Sequence, residues 1–275
     1  MPAAPRVPIL PSDGAPISVL VDYDGTISRR DVGGELLARF LDASERSAEQ
    51  RVDAAYDAGT MGSREVLGWD MDKLPADAAR LRDAASEVPH DETFPAFVAA
   101  VRTAGAVVEV VSDGLGFYVE SNLARHGATD LPVATNSNVM TGGADGLSYP
   151  YGHPSCFVCG TCKRTRVFAH QAADRIVLFV GDGTSDRFAA AHADLVFAKE
   201  SLARICRSEG WAFREWDRFA EIEAWWSAAL RSGELPRERA ELPAWRARHG
   251  LAPRPFICGP EVWGEGRTTP GPGPR

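Results

Sequence analysis

A chain of 275 residues with 44% hydrophobic and 25% charged residues has the make-up of a globular protein long enough to bury a sizeable core. Its 38 acidic against 30 basic residues leave a formal charge of −8, so no basic face is expected to draw a nucleic-acid backbone or an anionic membrane. No apolar run approaches the roughly 18–20 residues of a membrane helix, and the opening MPAAPRVPILPSDGAP lacks the continuous apolar segment of an export signal, so a cytoplasmic protein is the expectation.

Residues 1–16, rich in Pro and Ala, predict a loose leader. The segment from Ile17 to Ser28, ISVLVDYDGTIS, begins as a short apolar run of the kind a buried parallel strand shows. It ends in two carboxylates, a glycine and a threonine. Acids at the mouth of a buried strand are costly unless paired, hydrogen-bonded or bound to a cation, so a cation is expected beside Asp22 and Asp24. Gly25 lets the chain turn sharply, and Thr26 offers a hydroxyl to the same spot. From about Arg30 to Glu87, Leu36, Leu37, Phe40 and Leu41 repeat at helical spacing and several short amphipathic helices are predicted. No clear strand interrupts them. Such an insertion suits a lid over the strand ends, or a crossover helix with decorations.

Pro95 opens the next helix, with Phe94, Phe97, Val98 and Val101 on one face and Gly105 as its stop. AVVEVV then predicts a strand that ends in Ser112, Asp113 and Gly114, followed by a helix from about Leu115 to His126. Short strands are predicted over 131–150 around a turn at Thr141 to Asp145. A loop from Tyr151 to Cys162 leads into a helix near Lys163. Ile176 to Val180 is another buried-type strand, ending in the GDGTSD of residues 181–186; the strand Leu195 to Ala198 and a helix from about Ser201 complete an alternating β-α series. That alternation predicts an α/β fold, a Rossmann-like open parallel sheet with helices on both faces, whose ligands bind beyond the carboxyl ends of the strands. Asp22, Asp24, Ser112, Asp182 and Asp186 all fall at such ends. An amphipathic helix with Trp225 and Trp226, a charged stretch and a Pro/Gly tail from Gly264 follow. These tryptophans and Trp245 suit either a dimer contact or packing of a C-terminal helix on the core, which leaves monomer and homodimer open.

These residues can do phosphoryl transfer. A phosphate monoester resists attack because its own charge repels a nucleophile; cleavage needs an in-line nucleophile, a cation, donors around the oxygens and an acid for the leaving group. Asp22 can attack to give an aspartyl-phosphate, and Asp24 can protonate the departing alkoxide. Asp22 and Asp182 offer hard oxygen ligands that suit Mg²⁺, with Asp186 supporting that cluster or orienting a neighbour. Ser112 and Lys163 can hold the phosphoryl oxygens.

The ordered set of Asp22-Tyr23-Asp24-Gly25-Thr26, Ser112 after a strand, Lys163 before a helix, and Gly181-Asp182 with Asp186 resembles the haloacid dehalogenase superfamily of phosphatases, in its phosphoserine-phosphatase-like branch with a helical cap. The resemblance covers roughly residues 17–215. It implies that Asp22 is the nucleophile, Asp24 the general acid and base, and that Mg²⁺ is bound by Asp22, the main-chain carbonyl of Asp24 and Asp182. The second acid speaks for phosphoester hydrolysis, since the superfamily's dehalogenases lack it. It also implies a core of residues 17–28 and 90–230, a cap of 29–89 and a C-terminal extension of 231–275.

Within that family CGTCK resembles the enol-phosphate phosphatases of methionine salvage, while VVSDGLGFYVES, SCFVCGTCK and FVGDGTSD resemble the phosphoethanolamine and phosphocholine phosphatases. Asp113 stands where phosphoserine and methionine-salvage enzymes usually carry Gly, and a carboxylate there would favour an ammonium-bearing substrate, or else sit in a solvated turn. Asp31, Arg51, Arg64, Trp69 and Met71 are the cap residues that could choose the substrate; with Thr26, Asp113 and Gly114, Asp31 and Arg64 form the expected substrate-binding set. His153, Cys156, Cys159 and Cys162 carry ligands that zinc accepts, although thiols in a loop also serve as small apolar fillers. With Cys206 and Cys258 standing apart, the odd total of five cysteines argues against a disulfide framework. The expected function is Mg²⁺-dependent hydrolysis of a small phosphorylated metabolite. A non-catalytic metabolite-binding protein of the same fold is the rival.

Overall fold

The computed structural model describes residues 13–249 apart from 59, 139–145, 154, 155 and 157. Most of the predicted leader, the turn at Thr141 to Asp145 and the Pro/Gly tail lie outside the described residues. Seven strands form one sheet: β1 (Ile17–Val21), β2 (Val107–Leu115), β3 (Val133–Asn138), β4 (Leu147–Ser148), β5 (Ile176–Gly181), β6 (Leu195–Ala198) and β7 (Arg214–Glu215). Their order is β4-β3-β2-β1-β5-β6-β7, and every pairing is parallel except that of β3 with β4. β1 is central and, like β5, buried along its whole length, which is why both strands read as unbroken apolar runs.

The chain runs outward from β1 through β2 and β3, then returns to the other side of β1 to lay down β5, β6 and β7. Strand order therefore reverses between β1 and β5, and their carboxyl ends diverge to leave a crevice. Side chains alternate across the sheet. Val19, Val21, Val108 and Val110 pack against α5 (Phe94–Thr103), α6 (Gly116–Arg125) and α10 (Phe219–Ser232). Leu20, Val111, Val177 and Phe179 pack against α7 (Lys163–Ala172), α8 (Arg187–Ala190) and α9 (Glu200–Ser208).

Four α-helices lie between β1 and α5: α1 (Val32–Phe40), α2 (Arg46–Asp57), α3 (Ser63–Lys73) and α4 (Ala78–Ser86). The stem is closed by a bridge between Ser28 and His90 and by hydrogen bonds from Arg29 N to Pro89 O (2.7 Å) and Asp91 N to Ile27 O (2.9 Å). The insertion thus leaves and rejoins the core at one point.

Three features differ from the sequence expectation. β2 runs on to Leu115, with a break in register between Val111 and Leu115, because Thr135 and Asn136 of β3 hold the Gly114 and Asp113 carbonyls. A two-residue strand, β7, extends the sheet beyond β6. The charged stretch after α10 contains α11 (Leu242–His249), which buries Leu242 and Trp245 in the main core. Trp226 is buried in the same cluster and Trp225 packs against it, so all three tryptophans pack C-terminal helices, α10 and α11, on the core. No helix among the described residues is long and apolar enough to cross a membrane.

Candidate active site

The register of the central strands brings the acids together. Val21 pairs with Val110 on one side and Val180 on the other, so Asp22 leaves the sheet beside Gly181, with Asp182 one residue further on and Ser112 at the register break of β2. Asp22 N still donates to Val180 O (2.9 Å), which pins the first acid to the strand end. At Gly25 the backbone turns with φ +71°, and a Cβ there would overlap the Asp182 carboxylate; no other residue lets the two loops approach so closely.

Asp22, Asp182 and Asp186 each place a carboxylate oxygen within 4.8 Å of the others, and among the described residues they form the one such group. Lys163, at the first position of α7 and buried, donates from Nζ to Asp22 and to Asp186, both at 2.7 Å, and to Ser185 Oγ at 3.0 Å. The second oxygen of Asp186 accepts from the amides of Asp182 (2.9 Å) and Gly183 (3.0 Å), so this fully buried acid orients the loop rather than standing free. Asp182 in turn accepts from Thr26 Oγ1 at 2.6 Å.

Asp24 lies across the same cavity. It accepts from Val32 N (3.0 Å) at the start of α1, from Tyr118 OH (3.1 Å) and, more weakly, from Ser112 Oγ (3.5 Å). Ser112 is itself held by Gly114 N at 2.8 Å, and a Cβ on Gly114 would run into both Asp24 and the Tyr118 hydroxyl.

The charges explain one another. Burial, with Asp186 and Asp182 nearby, holds the Asp22 carboxyl well above the usual range despite the opposing Lys163. Burial, then Asp31, does the same to Asp24. Asp182 is pushed up to about 7 by burial and by Asp186. Burial works against the Lys163 ammonium, but Asp186 and Asp22 outweigh it and keep the amine protonated. Three acids share one lysine, and a cation is what this donor set lacks. Hard carboxylate oxygens at these separations fit a divalent ion of the Mg²⁺ type.

A cavity of about 420 Å³ opens over these groups, roofed by α1, α2 and α3. Asp31, Asp113 and Gly114 line it, as expected. Thr26 does not: it is fully buried and its hydroxyl is spent on Asp182. Arg64 also turns away, its Nε donating to Cys159 O (2.8 Å) and its guanidinium lying 4.6 Å from the Tyr149 ring, because the start of α3 is docked on the loop before α7. Met71 is buried in the core, Arg51 is exposed, and Trp69 is not among the lining residues.

His153, Cys156, Cys159 and Cys162 do not converge as metal ligands. The loop folds back through Cys162 N to Tyr151 O (2.9 Å), and Cys162 is then buried at the head of α7 against Thr165 Oγ1 (3.0 Å). Cys159 instead borders a small pocket with Tyr56 and Ser63. Steps of three along an irregular loop give the thiols different neighbours, and the zinc expectation falls. None of the described cysteines is in a disulfide.

Tyr118, Ser185 and Tyr23 were missed by the sequence reading. Tyr23, between the two acids, points away from the cavity into a buried network in which its hydroxyl meets His90 Nε2 (2.6 Å) and Asn122 Nδ2 (3.1 Å).

A family model described as haloacid dehalogenase-like hydrolase matches residues 19–191. Among curated proteins, a 2-hydroxy-3-keto-5-methylthiopentenyl-1-phosphate phosphatase from an Exiguobacterium species is 28% identical over 214 residues, covering 75% of this chain and 95% of the relative. The protein of the same description from Brevibacillus brevis is 24% identical over 188 residues, covering 66% and 82%. Among solved structures, a phospho-aspartyl intermediate analogue of phosphoserine phosphatase superposes with TM-score 0.56 at 18% identity, covering 76% of this chain and 97% of that one. A probable phosphoserine phosphatase from Vibrio cholerae gives TM-score 0.55 at 18% identity, with 80% and 67% covered.

Proposed function

The chain belongs to the haloacid dehalogenase-like hydrolase family, and from that premise we propose that it is a Mg²⁺-dependent phosphatase that cleaves the phosphomonoester of a small metabolite through an aspartyl-phosphate on Asp22. One observation carries the reading: Lys163 bridges Asp22 and Asp186 at 2.7 Å each, beside Asp182, at the mouth of the central strand. Asp22 attacks phosphorus. Lys163 and Ser112 hold the phosphoryl oxygens, by charge and by hydrogen bond. Asp24, whose acid form burial and Asp31 favour, gives its proton to the departing alkoxide and then takes one from the water that opens the phospho-aspartate.

Asp22, Asp182 and the Asp24 carbonyl would hold the ion, with Asp186 orienting the loop, and when bound Mg²⁺ supplies the positive charge that offsets the phosphoryl oxygens. The four inserted helices act as the cap that closes over substrate. The test is phosphate release from p-nitrophenyl phosphate with Mg²⁺. Asp22→Asn and Asp182→Asn are each expected to lower the rate by at least about 1,000-fold, the scale of removing a nucleophile or its charge partner. A wild type as inert as Asp22→Asn across a range of metals would favour the non-catalytic binding protein instead.

The similarity to the methylthiopentenyl-phosphate phosphatases supports a small phosphorylated metabolite from methionine salvage as one substrate candidate. A second reading, an amine-bearing phosphomonoester such as phosphoethanolamine, phosphocholine or phosphoserine, is favoured by the cavity wall. Asp22, Asp24, Asp31, Asp53, Asp70, Asp113 and Asp182 line it, and Lys163 is the single basic side chain among them. Asp70 is pushed up to about 8 by burial and by Asp31, Asp53 and Glu49, which an incoming ammonium would relieve. Asp113 already gives one oxygen to Thr161 N at 2.5 Å, so Asp70 is the better-placed partner. Asp70→Asn is expected to weaken kcat/KM for phosphoethanolamine about tenfold, worth one lost charge pair, and to spare neutral esters. Equal losses on both classes would remove the amine reading.

A further inference from the structure

Beneath the catalytic end of the sheet, a buried hydrogen-bonded chain ties together the elements that present Asp22, Ser112 and Lys163. Glu109, in the middle of β2 and 1% exposed, lies on the face that carries α7. One of its oxygens accepts from Arg166 Nε (2.9 Å) and pairs with the same guanidinium at 2.6 Å; the other accepts from His170 Nε2 (2.6 Å). His170 Nδ1 lies 2.8 Å from Ser18 Oγ of β1, and that hydroxyl accepts from Arg175 Nε (2.8 Å) just before β5. A guanidinium can only donate, so Ser18 Oγ accepts from Arg175, and the Glu109 carboxylate accepts from His170 Nε2.

Lys163, Arg166 and His170 stand at i, i+3 and i+7 of α7, which puts them on one face. That face, pressed against the sheet, carries these three polar groups beside the buried Val167, where apolar residues would pack as well. An apolar stripe tolerates small rotations and slides of a helix, whereas buried ion pairs hold only in one register, and fixing register is their best-attested use. Resting on the phosphatase reading above, we infer that Glu109 is a positioning residue: through Arg166 and His170 it sets the rotation of α7 and so holds Lys163 Nζ between Asp22 and Asp186.

The test compares Glu109→Gln with Phe219→Leu, a core substitution on the opposite face of the sheet, at matched loss of Tm. Glu109→Gln is expected to lower kcat and weaken inhibition by inorganic phosphate about tenfold each, the scale of a small misplacement of a phosphate-holding group, with Mg²⁺ affinity by calorimetry kept within about twofold. Phe219→Leu leaves all three within about twofold. His170→Gln, whose amide keeps a donor toward Glu109, is expected to retain more activity than His170→Leu; this pair carries the comparison should Glu109→Gln fail to fold. Losses in Glu109→Gln no larger than in Phe219→Leu would overturn the inference. A wild type that cleaves no phosphoester would overturn the phosphatase reading instead. The crystal structure of Glu109→Gln then decides positioning alone: Lys163 Nζ displaced from Asp22 supports it, and Lys163 in place overturns it.

Discussion

Tyr118 is the neighbour through which the acid–base role proposed for Asp24 can be read. Its hydroxyl donates to Asp24 at 3.1 Å and favours the carboxylate, against burial and Asp31, which favour the acid. The step that needs protonated Asp24 slows as pH rises through its pKa. Removing the donor raises that pKa further, so Tyr118→Phe is expected to move the alkaline limb of the kcat profile to higher pH, and a downward move would contradict the assignment. Asp182 gives a second pH effect. Its carboxyl, pushed up to about 7, ionises in the folded chain at a cost that grows as pH rises from the ordinary carboxylate range near 4 through about 7. Mg²⁺ needs the carboxylate and removes that cost. The metal-free protein should therefore lose Tm over that window relative to Asp182→Asn, and Mg²⁺ should raise Tm more at pH 8 than at pH 6; the reverse order in calorimetry would refute the assignment. The acids themselves were legible because charge at the end of an apolar run needs a partner. Thr26 was misread because a hydroxyl beside two acids has two possible duties, and only the Asp182 loop, 156 residues on, shows which one it performs.

At the scale of elements, the link between sheet and cap runs through Tyr23. Its hydroxyl meets His90, which stays neutral because burial and the stacked His126 pull its pKa down to about 4, and Asn122, which also donates to the Ala85 carbonyl in the last turn of α4. Tyr23→Phe leaves the buried His90 Nε2 without this partner, at about 1–3 kcal/mol, while Asn122 keeps the Ala85 carbonyl. At about 2–4 °C per kcal/mol for a chain of this size, that is a Tm drop of roughly 2–12 °C in thermal unfolding. A shift under about 1 °C would mean the network carries no stability. The long helices and buried strands were legible from periodicity. β7, two exposed residues long, has no period to detect. α11 was hidden by its charged flanks, although Leu242 and Trp245, three apart, are the residues it buries. Glu109 was in plain view as one acid among valines, but which helix answers it depends on the crossover to α7.

At the scale of the molecule, the strand order does most of the work. Two strands adjacent in space but 159 residues apart in sequence at their first positions, Ile17 and Ile176, carry the acids that meet, and the insertion after β1 supplies the roof of the cavity. That architecture was foreseeable from the β-α alternation, and the convergence of Asp22 with Asp182 follows from register once β1 and β5 are neighbours. What the sequence withheld was the cavity wall, since Asp53 and Asp70 look like ordinary surface acids on their helices until the cap folds over. The central claim is that Asp22 and Asp182 share one divalent ion while Asp22 captures phosphorus. A crystal structure with Mn²⁺ and beryllofluoride tests it most directly. The account predicts manganese bound between Asp22 and Asp182, beryllium bonded to an Asp22 carboxylate oxygen, and Lys163 and Ser112 on the fluorides. Manganese held elsewhere, or beryllofluoride on any other side chain, would contradict it.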